Sequence, residues 1–343
     1  MNELEVSMQK RWMTALFLVG IFVLSPSLPA SADERRDSAA MTRLIAPISQ
    51  SVKKSVAQVV TGGRPVSLAT AVSSDGYLLT KRSELSGDPI KVRLSDGRMY
   101  SALVSAVRRS HDLALLKIDA DIPLTPIELT DSSPPAGSFL VSAGRTGRPI
   151  GFGVLGVAAR RIDHQGRLGV RLYDDGSGRA VVRQVVENSG AADAGIEPGD
   201  LIVAINGLQK RGRDSVVEML GGMFPGERVR LKVLRPTPLS GNLVNLKVME
   251  MQASIRDFSQ LRETENDTKV NGPRSVRLSG FDKVIQHDTV LDPDQCGGPV
   301  LDLSGRVIGI NIARAGRVVS YALPSSLVMT ELSSMLQEAR SAR

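Results

Sequence analysis

The chain has 343 residues, 42% hydrophobic and 23% charged, which is enough to bury two or three domain cores and too apolar for a disordered or fibrous protein. Aromatic side chains make up only 3%, leaving little material for a platform of stacked rings, so no specific nucleic-acid partner is expected. The formal charge of +7 bears on solubility and attraction to anionic surfaces more than on fold.

Lys10 and Arg11 precede an apolar run from Trp12 to Leu24, and Ala30-Ser31-Ala32 follows as a small-x-small site. This is the pattern of an export signal over residues 1–32, cleaved after Ala32, with the mature chain expected in a periplasm or outside the cell. A retained anchor is the alternative, although the run falls short of the roughly 20 apolar residues that a spanning helix needs. Cys296 is the single cysteine, so no internal disulfide is available in a compartment that permits one.

Residues 33–51 read as a polar arm with a weak helical pattern. Val56–Val60, Ser67–Val72, Tyr77–Thr80, Ile90–Leu94, Ala102–Val107 and Leu113–Ile118 then form short apolar runs parted by turn residues, the texture of a sandwich or barrel over residues 52–125. Phe139–Ala143 and Gly153–Ala158 continue the same texture over residues 126–162. A different unit spans residues 163–256. In it Leu168–Leu172, Ala180–Val186, Leu201–Ile205, Val229–Leu234 and Leu243–Val248 read as strands, and Gly190–Ala194 reads as a short helix. Asn206-Gly207 suits a tight hairpin turn, and Asp214 is placed to cap a helix running through Val217 and Leu220 to Gly221. Residues 257–276 are charged and poor in apolar side chains, the composition of a flexible connector. Short strands resume from Val284 to Ile312 within the final segment, residues 277–343. The chain ends in an amphipathic helix from Pro324 to Arg340.

Four segments stand in order: Gly76-Tyr77-Leu78-Leu79-Thr80, Leu94-Ser95-Asp96-Gly97-Arg98, His111-Asp112-Leu113-Ala114-Leu115-Leu116-Lys117, and Cys296-Gly297-Gly298-Pro299 followed by Gly305-Arg306-Val307-Ile308-Gly309-Ile310-Asn311. Together they resemble the HtrA/DegP family of exported trypsin-fold serine proteases with PDZ domains, over roughly residues 52 to 330. The resemblance implies a mainly β fold, a chymotrypsin/trypsin-like double β-barrel. The stretch from Asn188-Ser189-Gly190 to Glu197-Pro198-Gly199-Asp200 resembles a bacterial PDZ domain. Because the Cys296 segment follows it, the PDZ domain is expected to be inserted into the second lobe.

Proteolysis on this fold needs a nucleophile, an imidazole base oriented by a carboxylate, and amides aimed at the developing oxyanion. The resemblance places Asp112 at the carboxylate, Ser83 where the histidine belongs, Cys296 at the nucleophile and Asp294 at the oxyanion glycine. None of His111, His164 and His287 occupies the base position, so a degenerate site is expected. The PDZ resemblance assigns Leu168, Gly169 and Val170 to a loop that holds a peptide carboxylate, with Val216 and Leu220 as the opposite wall. No cofactor and no metal are called for. The leading expectation is an exported adaptor or regulator that binds protein C-termini or unfolded segments. An active endopeptidase, through Cys296 or a divergent base, and a structural subunit of a homo-oligomer are the rival readings.

Overall fold

The computed structural model describes residues 38–85, 87–238 and 244–341. The export signal expected over residues 1–32 lies outside the described residues. Helix α1 (Ala39–Ser51) leads in, with the Ser38 hydroxyl accepting the Met41 amide at 3.1 Å as an N-cap. Strands β1 (Val56–Thr61), β2 (Arg64–Ala71), β3 (Tyr77–Lys81), β4 (Ile90–Arg93), β5 (Met99–Arg108) and β6 (Leu113–Ile118) close a barrel in the order β1-β2-β3-β6-β5-β4. Val59, Ala69, Leu78, Val92 and Leu116 fill its interior. These strands are β-branched and leucine-rich because closure buries one face of each and leaves no free edge.

Strands β7 (Phe139–Ala143) and β8 (Pro149–Ile162) begin the second barrel, and the chain then leaves it. The excursion contains β9 (Gly166–Arg167), β10 (Val170–Asp174), β11 (Ala180–Val185), helix α2 (Gly190–Asp193), β12 (Leu201–Ile205), β13 (Leu208–Gln209), helix α3 (Gly212–Gly221), β14 (Arg228–Pro238), β15 (Val244–Ser254) and β16 (Arg256–Asp257). Its sheet runs β10-β11-β12-β14-β15 and leaves β10 at an edge. Helix α3 packs Val216 and Leu220 onto a core that includes Leu168, Ile202 and Leu231.

The segment with the composition of a connector holds two helices, α4 (Phe258–Leu261) and α5 (Glu265–Asn271). Capping makes them: Asp257 accepts the Ser259 amide, and Thr264 with Asp267 forms a reciprocal capping box. Such helices lack the apolar periodicity by which longer ones are read.

The chain then re-enters the second barrel through β17 (Phe281–His287), β18 (Pro299–Asp302), β19 (Val307–Gly316) and β20 (Val319–Pro324), closing it in the order β17-β20-β19-β18-β7-β8. The fold is thus the expected mainly β double barrel, with a separate unit inserted between β8 and β17. Helix α6 (Ser325–Ser341) seals the back, where Val328 and Met335 join Leu113 and Phe281 in one core shared by both barrels.

Candidate functional site

Two places bring chemistry-bearing residues together: the cleft between the barrels and a groove in the inserted domain. In the cleft, Asp112 follows a 3-10 turn with a left-handed φ of 57°, a conformation that aspartate tolerates better than most residues. Its carboxylate is fully buried and accepts from the Ser83 amide at 2.9 Å and the Ser83 hydroxyl at 2.7 Å. Burial pushes the Asp112 carboxyl up, while Lys81, Arg277 and the Ser83 hydrogen bond pull it down.

Cys296 ends a 3-10 turn over Pro293–Gln295 and is fully buried, with its thiol pushed up by that burial and pulled down by Lys81. Its amide donates to the Pro293 carbonyl at 3.3 Å, so an N–H that an oxyanion would require is engaged in a turn. Asp294 lies on the same turn, its carboxyl raised by burial and by the neighbouring Asp292. Gly297 has φ of 99°, and a Cβ there would stand 2.0 Å from the Leu68 carbonyl oxygen, so only glycine lets β2 approach this closely. The Leu68 amide donates to the Cys296 carbonyl at 2.7 Å, and the Thr70 hydroxyl to the Gly297 carbonyl at 2.9 Å. The first barrel therefore grips the loop contributed by the second.

Lys81 is the residue that sequence reasoning missed. Its side chain is fully buried and its ammonium donates to Glu84 Oε1 at 3.0 Å. Burial disfavours the charge, yet Glu84, the Cys296 sulfur and Asp112 together outweigh that cost and hold its pKa above the ordinary value. A buried cation thus stands among the cysteine and both carboxylates. The legible signal was a lysine closing the mostly apolar run Tyr77-Leu78-Leu79-Thr80, with a glutamate three residues on.

Residues 274–277 cover this cluster. The Ser275 amide donates to the Arg314 carbonyl and the Arg314 amide to the Ser275 hydroxyl, each at 3.0 Å, so the segment lies along β19, while the Cys296 thiol donates to the Asp292 carbonyl at 3.9 Å. The Val276 amide donates to Glu84 Oε1 at 3.1 Å. Arg277 is fully buried and donates to the carbonyls of Arg109, Ser110, Ser279 and Gly280, between the rings of Phe224 and Phe281 at 4.1 and 4.5 Å. Burial lowers its pKa to about 10, which still leaves it charged at neutral pH. Glu227 of the inserted domain pairs with Arg82 at 3.2 Å and Arg109 at 2.6 Å, docking that domain onto the first barrel.

The imidazoles are engaged elsewhere. His111 Nε2 lies 3.3 Å from Glu331, His164 Nε2 lies 2.9 Å from the Met223 carbonyl, and His287 Nε2 lies 2.9 Å from Asn311 Oδ1. Among the described residues, no cluster of His, Cys, Asp and Glu is arranged to hold a metal ion.

In the inserted domain, Gly169 has φ of 91°, and a Cβ there would meet Ser189 at 2.2 Å. The Leu168 and Gly169 carbonyls accept from Ala191 and Val186, whereas their amides have no acceptor among the described residues. These amides lie at one end of a groove of about 840 Å³ between β10 and α3. Leu168, Val170, Leu172 and Leu220 line it. Val216 does not: it is 0% exposed in the domain core, and Val217, 44% exposed, faces the groove instead. The helix starts at Gly212 with Arg211 as its N-cap, leaving Asp214 in the first turn rather than at the cap. Neighbouring helix positions point about 100° apart, so Val216 faces the core and Val217 the groove. Phe258 and Leu261 of α4, with Arg262, complete the groove from the supposed connector, where an apolar pair three residues apart was the available signal.

A PDZ domain family model matches residues 153–249. Probable periplasmic DegP-like serine endoproteases are similar in sequence: that of Hahella chejuensis is 25% identical over 252 residues, covering 48% of this chain and 53% of the relative. That of a Marinomonas strain is 40% identical over 83 residues, 24% of this chain and 17% of the relative. The chain spans about half the length, or less, of these relatives. Among solved structures, an inactive-form mutant of Rv3671c from M. tuberculosis aligns over 87% of this chain and 93% of its own, with a TM-score of 0.40 and 14% identity. The MamO protease domain of Magnetospirillum magneticum aligns over 82% and 96%, with a TM-score of 0.36 and 16% identity.

Proposed function

We propose that this chain, a PDZ-bearing relative of the DegP/HtrA serine endoproteases, binds protein C-termini or exposed segments in its groove while its protease cleft stays silent. The observation that carries the silent cleft is the Ser83–Asp112 pair. The carboxylate that would orient an imidazole instead accepts both the amide and the hydroxyl of Ser83, and loss of the base from such a triad costs on the order of 10⁶ in turnover. The occupied Cys296 amide and the cover of residues 274–277 support the same reading, because a substrate carbonyl has neither an oxyanion hole nor a path to the sulfur.

The groove supplies the activity. An extended peptide adds to the open edge of β10, its carboxylate meets the Leu168 and Gly169 amides, and its last side chain enters the apolar groove. Export, with cleavage after Ala32, belongs to the proposal and agrees with the periplasmic assignment of the DegP-like relatives. Calorimetry with C-terminal peptides is expected to give Kd values around micromolar, roughly 8 kcal/mol, that weaken at least tenfold when the terminus is amidated. Affinity unchanged by amidation overturns the groove reading. Cleavage of casein that disappears in Cys296→Ala overturns the silent cleft.

A further inference from the structure

Beside the apolar groove is a second depression of about 590 Å³, on which Arg171, Arg183 and Arg213 converge with Gln184. No carboxylate is among the residues that line it. Arg171 is exposed as the second residue of edge strand β10, between Val170 and Leu172, which pack toward the domain core. Arg183 is exposed on β11 at the point where the pairing slips, since Arg171 faces Gln184 and Leu172 faces Val182. Neither has an ion-pair partner among the described residues, whereas Arg179 and Arg235 of the same domain are paired with Asp175 and with Asp200 and Glu197. Arg213 opens α3. Its guanidinium pairs with the largely exposed Asp214 at 2.8 Å, and its amide donates to Asp174 at the end of β10.

Side chains of a strand added to β10 alternate between the two faces of the sheet. Those pointing toward α3 enter the apolar groove, and those between them fall beside Arg171 and Arg183. We propose that the groove selects protein C-termini with an apolar last residue and acidic side chains one and three residues before it. This rests on the reading that the groove takes a peptide carboxylate, and it adds the charge of the ligand. The two unpaired guanidiniums offer planar donors to carboxylates at the alternate positions, and they disfavour lysine there by like charge.

The test uses the purified chain and fluorescein-labelled octapeptides that share one apolar C-terminal residue and carry Glu, Gln or Lys at both alternate positions. Anisotropy at low and high salt is expected to give the Glu peptide at least tenfold tighter binding than the Gln peptide, with the Lys peptide weakest. The Glu advantage should shrink as salt rises. Arg171→Gln with Arg183→Gln, both exposed, should abolish the Glu preference and bring the Glu and Gln peptides within twofold of each other, each still dependent on a free terminus. Arg183→Glu should narrow or reverse the order of the Glu and Lys peptides. Equal affinities for Glu and Gln peptides, each still dependent on a free terminus, overturn the acidic preference while the groove reading stands. Failure of every free-terminus peptide overturns both. A Glu preference that survives amidation, and that polyglutamate or vesicles rich in anionic lipid abolish by competition, shows a general polyanion surface and overturns the proposal.

Discussion

The Ser83 hydroxyl donates to Asp112 Oδ2 at 2.7 Å, while the backbone amide of the same serine donates to Oδ1 at 2.9 Å. One serine, through its amide and its hydroxyl, thus satisfies both oxygens of a buried carboxylate. Removing the hydroxyl with Ser83→Ala leaves Oδ2 short of a donor, and urea denaturation should report a loss of about 1–3 kcal/mol. An unchanged midpoint and slope would remove the structural role assigned to this pair.

Lys81 and Asp112 are fully buried and electrostatically coupled. Lys81→Met should therefore cost roughly 3–5 kcal/mol, because it leaves buried carboxylates uncompensated. Asp112→Asn added to it should recover part of that loss, and the non-additivity measures the coupling. Strictly additive losses in denaturant titrations would show that the two act independently.

Cys296 should react with a disulfide reagent only when the segment over it opens, since its thiol is buried and its pKa raised. Ser275→Pro removes the amide that donates to Arg314, along with the hydroxyl on the Arg314 amide, and labelling under native conditions should accelerate at least tenfold. Identical labelling rates for the two proteins would exclude residues 274–277 as the cover.

Val216 and Val217 should separate stability from binding. Val216→Ala opens a cavity in the core of the inserted domain and should cost about 2 kcal/mol with little change in peptide affinity. Val217→Asp places a carboxylate on the groove wall and should weaken peptide binding at least tenfold at nearly unchanged stability. The opposite pattern in calorimetry and thermal unfolding would return the wall to Val216.

His287 is buried, and that burial lowers its pKa to about 4, against the opposing effects of its bond to Asn311 and of Asp288. Unfolded, the imidazole binds a proton near pH 6.5, so between about pH 6.5 and 4 the unfolded chain holds more protons and stability falls as pH falls. The loss reaches at most about 3 kcal/mol at the lower end. His287→Gln keeps an amide donor for Asn311 and should flatten stability over this window. A wild-type slope in the variant would assign the pH dependence to other groups.

Short β-branched runs punctuated by Gly and Asp turns already pointed to a β sandwich or barrel, because strand alternation and turn chemistry are local properties of the chain; the double barrel followed from the family resemblance. Ser83 and the Cys296-Gly297-Gly298-Pro299 run were marked as cleft residues by the family resemblance of the segments that carry them. Which of Val216 and Val217 lines the groove depends on how α3 packs on the sheet, since neighbouring positions point about 100° apart. The helices at Phe258–Leu261 and Glu265–Asn271 depend on caps and docking rather than on periodicity. The cover of the cleft was settled only in three dimensions: the Val276 amide meets Glu84 across 192 positions of sequence, and Arg277 meets Arg109 across 168. Contacts between residues so far apart leave no local pattern, since only the packing of the two barrels and the inserted domain places a lysine, a thiol and two carboxylates under one strand of chain.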